Sequence, residues 1–403
     1  MKTHKFFNTA TRQAMFEQVK GYVDKSIDLG ARIERIKREH GIERIYRFDL
    51  GENAEGYSPR IEQYLDGFRG SDGRIAPDRL VAWLSAYPDR DHTGLKRALS
   101  LRYGIPAEWV LIDAGLDSIL DLITRVFLEH GDGFLMPTPS FYLFEEYSER
   151  MGAVPYFLPL LERDQYRWTE EVISQYRKLV ARFQPKLVWL ANPNNPTGQF
   201  IEPELLRELI DHACDYNAFV VIDEAYGEYT DPPGDVHSAA RWLTRYENLL
   251  VLRTFSKKYG LASLRIGYAM CASPDIREGL QVHRHHFPVT QAALDLASIA
   301  LEDRAFLEHS RARTLANRAE MFQRIGGLQS FALIPSQTNI FMLRNRQLDG
   351  AQFAAALERF GIIASPLEIS GIKERGFLRF TLRSVEDNLH LCAALEEIDY
   401  GLA

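Results

Sequence analysis

Ala218-Phe219-Val220-Val221-Ile222-Asp223-Glu224-Ala225-Tyr226 is an apolar run that ends in two carboxylates, an alanine and a tyrosine. Consecutive apolar residues rich in valine and isoleucine are typical of a strand buried on both faces of a parallel sheet. Similar runs alternate with helix-like segments between residues 95 and 275. The runs are 109–112, 133–136, 186–191, 218–222, 249–252 and 265–271, and the helix-like segments are 95–103, 117–129, 203–216 and 237–246. This alternation predicts an α/β fold with a largely parallel sheet covered by helices on both faces.

The pattern of apolar and charged residues changes on either side of this alternating region. Residues 9 to 40 are rich in charge and carry apolar residues at helical spacing, which predicts an N-terminal helix or arm. A long helical stretch (291–325) precedes two strand-like runs, Asn339–Leu343 and Phe377–Leu382, which predicts a smaller α+β unit. We therefore predict three parts: an N-terminal arm over residues 1–49 that joins the small domain, a large domain over 50–288 and a small C-terminal domain over 289–403.

The composition is that of an ordinary globular protein. Hydrophobic residues make up 46% and charged residues 26% of the 403 positions, which excludes a disordered or fibrous chain. The 48 basic and 55 acidic residues give a net charge of −7, which argues against a nucleic-acid-binding surface. The apolar runs fall far short of the ~18 residues that cross a bilayer, and no secretory signal is evident. Three widely spaced cysteines predict reduced thiols, so we expect a cytoplasmic enzyme with no membrane contact.

Polar residues follow the apolar runs at the carboxyl ends of strands, where open parallel sheets bind ligands. The segment Ala191-Asn192-Pro193-Asn194-Asn195-Pro196-Thr197-Gly198 holds more Asn, Pro and Gly than one turn needs. Asp223 ends a buried run, where an unpaired carboxylate costs on the order of several kcal/mol, so it needs a structural arginine or a protonated ligand nitrogen. Thr254, Ser256 and Lys257 suit an anion plus an amine nucleophile, and Arg265 opens the following run.

An anion site is predicted independently near residue 115. Val110-Leu111-Ile112 is typical of a strand, and Ala114-Gly115-Leu116-Asp117-Ser118 opens a helix. The first turn of a helix offers unpaired backbone N–H groups and the positive end of the helix dipole. Such a site suits a dianionic phosphate.

Together these motifs resemble the fold-type-I pyridoxal-phosphate enzymes of the class I/II aminotransferase family. The resemblance is carried by Asn194–Gly198, Asp223–Tyr226 and Thr254–Lys257, spans about residues 48 to 390 and is closest to histidinol-phosphate aminotransferases. It implies a PLP-transferase fold of type I, with a mostly parallel, seven-stranded-type sheet in a large domain and a small α+β domain. It also implies pyridoxal 5'-phosphate as the cofactor and a homodimer with shared active sites.

The resemblance assigns the central catalytic roles. Lys257 would bind the cofactor as a Schiff base and then move protons between Cα and the cofactor. The adjacent Lys258 is its rival, but the Ser-Lys junction and the family's eight-residue interval to arginine select Lys257. Asp223 would keep the pyridine nitrogen protonated. Tyr226 and Asn195 would hydrogen-bond the ring's 3′ oxygen, and Asn195 would also contact the substrate.

Further contacts are implied in the same way. The phosphate cradle would comprise Gly115, Leu116, Asp117, Thr254, Ser256 and Arg265. Phe141 matches the aromatic residue that stacks on the pyridine ring, although a core phenylalanine is its plain structural alternative. Tyr87 matches a tyrosine that reaches the neighbouring subunit's phosphate. Arg379 would pair bidentately with the substrate α-carboxylate.

Two departures from the family concern the substrate. Ser365 stands before Pro366 where histidinol-phosphate enzymes usually carry a phosphate-binding arginine, and losing such a contact costs about 1.5–3 kcal/mol. Glu55 stands where the family has a pocket-lining aromatic, two residues after Asn53, which keeps its motif position as a substrate contact. A carboxylate in the pocket would favour a cationic side chain, whereas a solvated loop glutamate is the alternative.

Three functions are compatible with these features. The first is an aminotransferase that moves the amino group of a cationic amino acid to a 2-oxo acid. The second is a lyase or cyclase on the same scaffold, similar to capreomycidine-synthase-like enzymes that cyclise hydroxylated arginine. The third, a cofactor-sensing DNA-binding regulator, is disfavoured because too few residues precede the matched region. A metal at His283, His285 and His286 is also disfavoured, since no carboxylate or cysteine stands at ligand spacing in that run.

Overall fold

A computed structural model describes residues 28–70, 73–232, 237–367, 369–372 and 376–402. Most of the predicted N-terminal helix over residues 9 to 40 therefore lies outside the described residues. The helices are α1 (Leu29–His40), α2 (Arg60–Asp66), α3 (Pro77–Ser85), α4 (Thr93–Tyr103), α5 (Gly115–Phe127), α6 (Tyr142–Arg150), α7 (Glu170–Phe183), α8 (Pro203–Asp215), α9 (Pro274–His283), α10 (Gln291–Glu302), α11 (Arg304–Gly326), α12 (Gly350–Glu358) and α13 (Val385–Leu402).

The strands form one large and two small sheets. In chain order they are β1 (Tyr46–Arg47), β2 (Val110–Asp113), β3 (Gly133–Thr138), β4 (Val154–Pro159), β5 (Leu187–Ala191), β6 (Phe219–Asp223), β7 (Leu249–Thr254), β8 (Gly267–Met270), β9 (Phe331–Ile334), β10 (Ile340–Asn345), β11 (Ile362–Ile363), β12 (Ser365–Pro366) and β13 (Leu378–Thr381).

The seven-stranded sheet has the order β2-β8-β7-β6-β5-β3-β4. Its neighbours from β7 to β4 run parallel, while β8 is antiparallel to both β7 and β2. Alternate residues of each central strand enter the two apolar cores: Val220 and Ile222 face one core, and Phe219 and Val221 face the other. The predicted α/β architecture with a mostly parallel, seven-stranded sheet is confirmed.

The C-terminal part of the chain forms an antiparallel sheet of order β12-β13-β10-β9. A separate core beneath it includes Phe341, Phe353, Leu378 and Phe380. Helices α11 and α13 pack against each other beside this sheet. This unit places β13, and with it Arg379, close to the strand ends of the large sheet.

Residues 28–48 pack against this C-terminal unit. Strand β1 pairs in parallel with β11, and the guanidinium groups of Arg32 and Arg35 both bind the Glu358 carboxylate, with closest N–O distances of 2.7 Å. Asp28 accepts a hydrogen bond from the Ala31 N–H and so caps α1. The segment thereby leads directly into the loop that begins at Asp49, beside the strand ends.

The described residues were searched for membrane-crossing helices. None of their helices is both long enough and apolar enough to span a bilayer.

Candidate active site

A cavity of about 400 Å³ lies where the carboxyl ends of β5, β6 and β7 meet the start of α5, the loop after β1 and strand β13. Most of the site residues that were predicted from the sequence line this cavity. Those that line it are Leu116, Asp117, Phe141, Asn195, Asp223, Tyr226, Thr254, Ser256, Lys257, Arg265 and Arg379. Parallel strands deliver their carboxyl ends to one edge of the sheet, so residues from distant parts of the chain converge there.

The two adjacent lysines lie in different surroundings. Lys257 lines the cavity, and its Nζ lies 5.4 Å from the centroid of the Tyr226 ring. Lys258 is 1% exposed, and its Nζ lies 3.4 Å from Thr314 Oγ1 and 4.7 Å from the Tyr229 ring centroid. Lys258 is absent from the cavity wall. The structure therefore offers only the first of these two amines to a ligand in the cavity.

Asp223 carries its carboxylate into the cavity from the end of β6. It is 5% exposed, and one oxygen accepts a hydrogen bond from the Ala225 N–H at 2.9 Å. Burial raises the pKa of Asp223 to about 7, with smaller opposing effects of that hydrogen bond and of Lys257. Within the described residues no arginine forms an ion pair with Asp223; the neighbouring Arg253 binds Glu224 and Glu228 instead. A protonated ligand nitrogen is thus the better fit of the two partners that the sequence left open.

Tyr226 also presents an unused polar group. Its hydroxyl is buried and has no hydrogen-bond partner within the described residues. A Cβ atom on Gly51 would lie 2.5 Å from this hydroxyl and 3.1 Å from Lys257 Nζ, so the backbone approaches both groups closely. Beside them, the Asn195 side-chain oxygen accepts a hydrogen bond from Arg379 Nη1 at 3.2 Å.

The start of α5 forms an anion cradle with the loop after β7. Gly115 has φ +81°, and a Cβ there would lie 2.8 Å from Arg265 Nη2, so only glycine allows this approach. Arg265 Nη1 lies 3.4 Å from Ser256 Oγ, and its Nη2 lies 3.4 Å from an Asp117 oxygen. Thr254 Oγ1 accepts a hydrogen bond from the Ser256 N–H at 3.0 Å. Helix N–H groups, a hydroxyl and a guanidinium converge, which suits a dianionic phosphate.

This donor set fits pyridoxal 5'-phosphate. The cradle at α5 and Arg265 matches the phosphate, and the Asp223 carboxylate matches a protonated pyridine nitrogen. The unpartnered Tyr226 hydroxyl matches the ring's 3′ oxygen, and the Lys257 amine matches the aldehyde carbon. The Phe141 ring, which makes edge contacts with Tyr142 and Phe144, lines the same space.

Asn53 and Glu55, which the sequence placed at the substrate, lie outside the cavity wall. The Asn53 amide donates to the backbone oxygens of Gly56 and Lys258, at 3.0 and 2.8 Å, and so fixes the loop against the lysine segment. The Glu55 carboxylate forms a 2.8 Å ion pair with Arg313. Each side chain is engaged elsewhere in this structure, and the expected substrate contacts of both residues stay predictions.

Tyr87 also lies away from the cavity of its own chain. It is 83% exposed and stacks on Phe287, with ring centroids 4.7 Å apart. Its expected role concerns a neighbouring subunit, so this position leaves that prediction open. Among the described residues, no group of three or more His, Cys, Asp or Glu side chains is arranged to hold a metal ion.

Sequence reasoning missed several residues that line the cavity. These are chiefly Leu50, Gly51, Glu52 and Tyr142. The first three belong to the same motif as Asn53 and Glu55, but a loop sequence does not show which of its side chains face inward. A glycine within a polar motif was the available signal for Gly51, since close backbone approach is a common reason for glycine. Tyr142 directly follows Phe141, and only Phe141 was predicted from the sequence as the aromatic residue that stacks on the ring.

Comparison with known proteins agrees with this geometry. A family model for aminotransferase class I and II matches residues 83–395. Histidinol-phosphate aminotransferase of Caldicellulosiruptor saccharolyticus is 32% identical over 370 residues, which cover 92% of this chain and 96% of the relative. The corresponding protein of Bdellovibrio bacteriovorus is 32% identical over 376 residues, which cover 92% of this chain and 94% of the relative.

A solved structure shows the same likeness. The crystal structure of histidinol-phosphate aminotransferase from Sinorhizobium meliloti in complex with pyridoxal-5'-phosphate superimposes with a TM-score of 0.75 at 25% sequence identity. The match covers 94% of this chain and 97% of that one. Fold, site chemistry and sequence agree: the chain belongs to the class I and II aminotransferases and is a pyridoxal-phosphate-dependent enzyme.

Proposed function

We propose that this aminotransferase acts at Cα of a free amino acid with a cationic side chain and passes the amino group to a 2-oxo acid. The observation that carries the proposal is the position of Arg379, which is 4% exposed and lines the same cavity as Lys257. Its guanidinium is oriented by Asn195 Oδ1 and by the Asp49 backbone oxygen at 2.5 Å. An oriented guanidinium fork is the group best suited to a carboxylate.

The positions of the chain's own residues support the following roles. When bound, pyridoxal phosphate supplies an electrophilic carbonyl carbon and an electron-withdrawing ring. Lys257 Nζ holds the cofactor and moves the proton at the substrate Cα. Asp223 holds the proton on the ring nitrogen, and Tyr226 donates to the 3′ oxygen. Arg379 orients the substrate so that its Cα–H bond faces Lys257.

The preference for a cationic side chain rests on Glu52. Glu52 lines the cavity, whereas Glu55 does not, and its carboxylate is 3.2 Å from Arg383 Nη1. Its side chain remains 45% exposed, so a substrate ammonium or guanidinium has access to it. A carboxylate at the wall of a partly enclosed site favours a cationic ligand over a neutral one.

Histidinol phosphate, the substrate that the relatives' names indicate, is the less favoured donor. Among the described residues, the cationic side chains of the cavity wall are Lys257, Arg265 and Arg379. The first two are committed to the cofactor in this proposal. Ser365, where the family's arginine would stand, pairs in register with Arg379 on β13 and adds no charge. Histidinol phosphate carries no carboxylate, so among these described side chains its phosphate would have Arg379 as its cationic partner.

The experiment is a product analysis with the holoenzyme. Arginine, a hydroxyarginine, leucine and histidinol phosphate are each incubated with and without 2-oxoglutarate, and the products are identified by mass. We expect glutamate to form from arginine only when 2-oxoglutarate is present. Loss of water from hydroxyarginine without an acceptor would instead support the lyase or cyclase. Preferred turnover of histidinol phosphate would refute the proposed substrate class.

Three variants test the roles proposed for Lys257, Glu52 and Glu55. Lys257→Ala should abolish the absorbance of lysine-bound cofactor and lower turnover by at least about 10³-fold, in line with the loss of a positioned proton-transfer group. Glu52→Gln should raise the KM for arginine relative to leucine by about tenfold, equivalent to about 1.4 kcal/mol. Glu55→Gln is the matched control, because Glu55 lies in the same loop but outside the cavity wall, and it should leave that KM ratio unchanged.

We also propose that the active enzyme is a homodimer in which Tyr87 completes the partner's site. The support is the exposure of Tyr87 together with two kinds of exposed apolar side chain: Val81 and Leu84 on the preceding helix α3, and Val282 near the end of α9. Large apolar side chains at a surface are typical of protein–protein contacts.

Mixing two inactive variants tests the shared site. If Tyr87 acts across the interface, subunits carrying Lys257→Ala and subunits carrying Tyr87→Ala should form hybrids with one intact site. After exchange, activity should recover to about one quarter of the wild-type value, the fraction expected from random pairing in a two-fold dimer. If Tyr87 acts only within its own chain, mixing will restore nothing, and if it has no role, Tyr87→Ala alone will stay active.

A further inference from the structure

We propose that Arg284 is a positioning residue for the cofactor phosphate site, which it reaches through Asp113, and that it joins this site to the Tyr87 loop. The inference rests on the assignment of the phosphate to the start of α5. Arg284 directly follows α9 and lies in the His283–His286 run, which has no role in the chemistry described above. Its guanidinium is buried, with only 3% of the side chain exposed.

The first contact of Arg284 is with Asp113, the last residue of β2. Their closest N–O distance, from Arg284 Nε, is 3.3 Å, and the Asp113 side chain is 2% exposed. The other Asp113 oxygen accepts hydrogen bonds from the Ala114 N–H and from the Ser118 hydroxyl, each at 2.7 Å. Asp113 therefore ties both the residue before α5 and its first turn to one carboxylate.

This arrangement leaves the remaining N–H groups at the start of α5 available to an anion. Asp113 occupies the Ala114 N–H and the Ser118 hydroxyl, so the N–H groups of residues 115–117 lie between two fixed points. A buried carboxylate keeps such contacts only while its charge is compensated. Arg284 supplies that compensation, and without it Asp113 would turn away and release the first turn.

The second contact of Arg284 is with His92, which is 1% exposed. Arg284 Nη2 lies 3.1 and 3.2 Å from the two ring nitrogens of His92. Burial, and next the charge of Arg284, lower the pKa of His92 to about 4, so the ring is neutral near pH 7 and one nitrogen can accept. His92 has φ +55° and ends the loop that starts at Tyr87.

Two further contacts hold this loop to the segment after α9. The Asp89 N–H donates to Gln291 Oε1 at 2.9 Å, and the Tyr87 ring stacks on Phe287. The guanidinium of Arg284 thus lies between the loop that carries Tyr87 and the helix start that carries the phosphate cradle. Any residue that cannot bind both partners would uncouple them.

The test compares cofactor forms with and without the phosphate. Apoprotein is titrated with pyridoxal 5'-phosphate and with pyridoxal, and the ratio of the two dissociation constants is measured for wild type, Arg284→Gln and Arg277→Gln. We expect Arg284→Gln to weaken pyridoxal 5'-phosphate binding by at least about tenfold and to change pyridoxal binding by less than about twofold. Arg277, on α9, donates within the described part of the chain to the backbone oxygens of Ser273 and Glu108 and is the control that should change neither.

A double-variant cycle shows whether Asp113 transmits the effect. Asp113→Asn can still accept from Ala114 and Ser118 and needs no cation, so Arg284→Gln should alter the binding ratio much less in that background. If Arg284→Gln alone does not fold, recovery of folding in the double variant supports transmission through Asp113, and failure to recover it counts against the proposal. Equal losses for both ligands, or an undiminished effect in the Asp113→Asn background, would overturn the proposal. A failed Lys257 assignment would appear separately, as lysine-bound cofactor in Lys257→Ala.

Discussion

Asp223 and Lys258 are two buried charges in different regions of the molecule. Asp223 faces the cavity from the end of β6, while Lys258 lies in a closed region bounded by Thr314 and the Tyr229 ring. Burial raises the pKa of Asp223 to about 7 and lowers the pKa of Lys258 to about 7. Both groups are therefore destabilised in their charged forms by the same physical cause.

The two regions differ in whether a partner is available to stabilise the buried charged group. Asp223 borders a space in which a protonated ring nitrogen would restore the ionised carboxylate. The carboxylates of Glu55 and Glu228 act on Lys258, but each already has an arginine, Arg313 and Arg253 respectively. A strongly shifted pKa thus indicates a ligand site only when the group also faces an accessible cavity.

The largest expected effect concerns Asp223 in the cofactor-free protein. Its folded pKa lies above the ordinary value of 3.8, so the folded state holds the extra proton between about pH 4 and about pH 7. Stability is therefore lost as the pH rises through this window, by up to about 4 kcal/mol at 1.36 kcal/mol per pH unit. Apoprotein carrying Asp223→Asn should lack this loss when the free energy of unfolding is measured across the same range.

Bound cofactor should reverse the order of stability of the wild type and the Asp223→Asn variant. With a protonated ring nitrogen beside it, ionised Asp223 is stabilised, whereas the neutral amide of the Asp223→Asn variant offers no charge. Wild type should then be the more stable protein at about pH 8 in the presence of pyridoxal 5'-phosphate. Parallel pH profiles for the two apoproteins would contradict the assigned burial penalty.

A smaller effect of the opposite sign with pH is expected for Lys258. Its folded pKa of about 7 lies below 10.5, so the cost of the buried ammonium is complete below about pH 7 and declines as the pH rises toward 10.5. Lys258→Met fills similar volume without charge and should raise the free energy of unfolding at pH 7 by about 2 kcal/mol. The gain should shrink in measurements at higher pH.

An exposed lysine provides the control for this variant. Lys178 lies on the exposed face of α7, so Lys178→Met should alter stability by less than about 0.5 kcal/mol at any pH. If Lys258→Met instead destabilises the protein at pH 7, the ammonium must be a needed partner of Glu55 or Glu228. That result would remove the contrast between the two regions.

The sequence predicted the cavity region better than the closed region. Buried parallel strands appear as apolar runs, so the strand ends and their polar residues, among them Asp223 and Lys257, could be placed in advance. The direction of β8 could not, because an antiparallel strand buried in the same sheet has the same apolar texture. The pairing of Glu55 with Arg313 joins positions far apart in the chain, and no local pattern encodes it.

The segment 237–246 shows the same limit. Its apolar spacing predicted one continuous helix, whereas residues Ala239–Trp242 form a short 3-10 helix in the structure. The Glu224 carboxylate accepts hydrogen bonds from the Ser238 hydroxyl and the Ala239 N–H, each at 2.7 Å, and so draws the segment onto the strand ends. A buried tertiary contact of this kind overrides local helix propensity.

The smallest expected effect is a difference between alanine variants of two glycines in the same loop. Gly51 faces the cavity, and Gly56 lies further along that loop. A Cβ on Gly51 would lie 2.5 Å from the Tyr226 hydroxyl and 3.1 Å from Lys257 Nζ. Gly51→Ala should therefore displace catalytic groups and lower kcat by about 10- to 100-fold, as small misplacements do. The flexible ends of two side chains can move, so thermal stability should change little.

Gly56→Ala should show the reverse pattern. No atom lies within 4 Å of a Cβ at this position, but its φ of +73° is strained for alanine, which costs about 1 kcal/mol. Stability should fall while kcat stays near the wild-type value. Because both variants add the same methyl group to one loop, equal losses of kcat would mean that the loop acts as a unit. Only a loss confined to Gly51→Ala supports the view that the cavity region tolerates no extra atom beside Lys257.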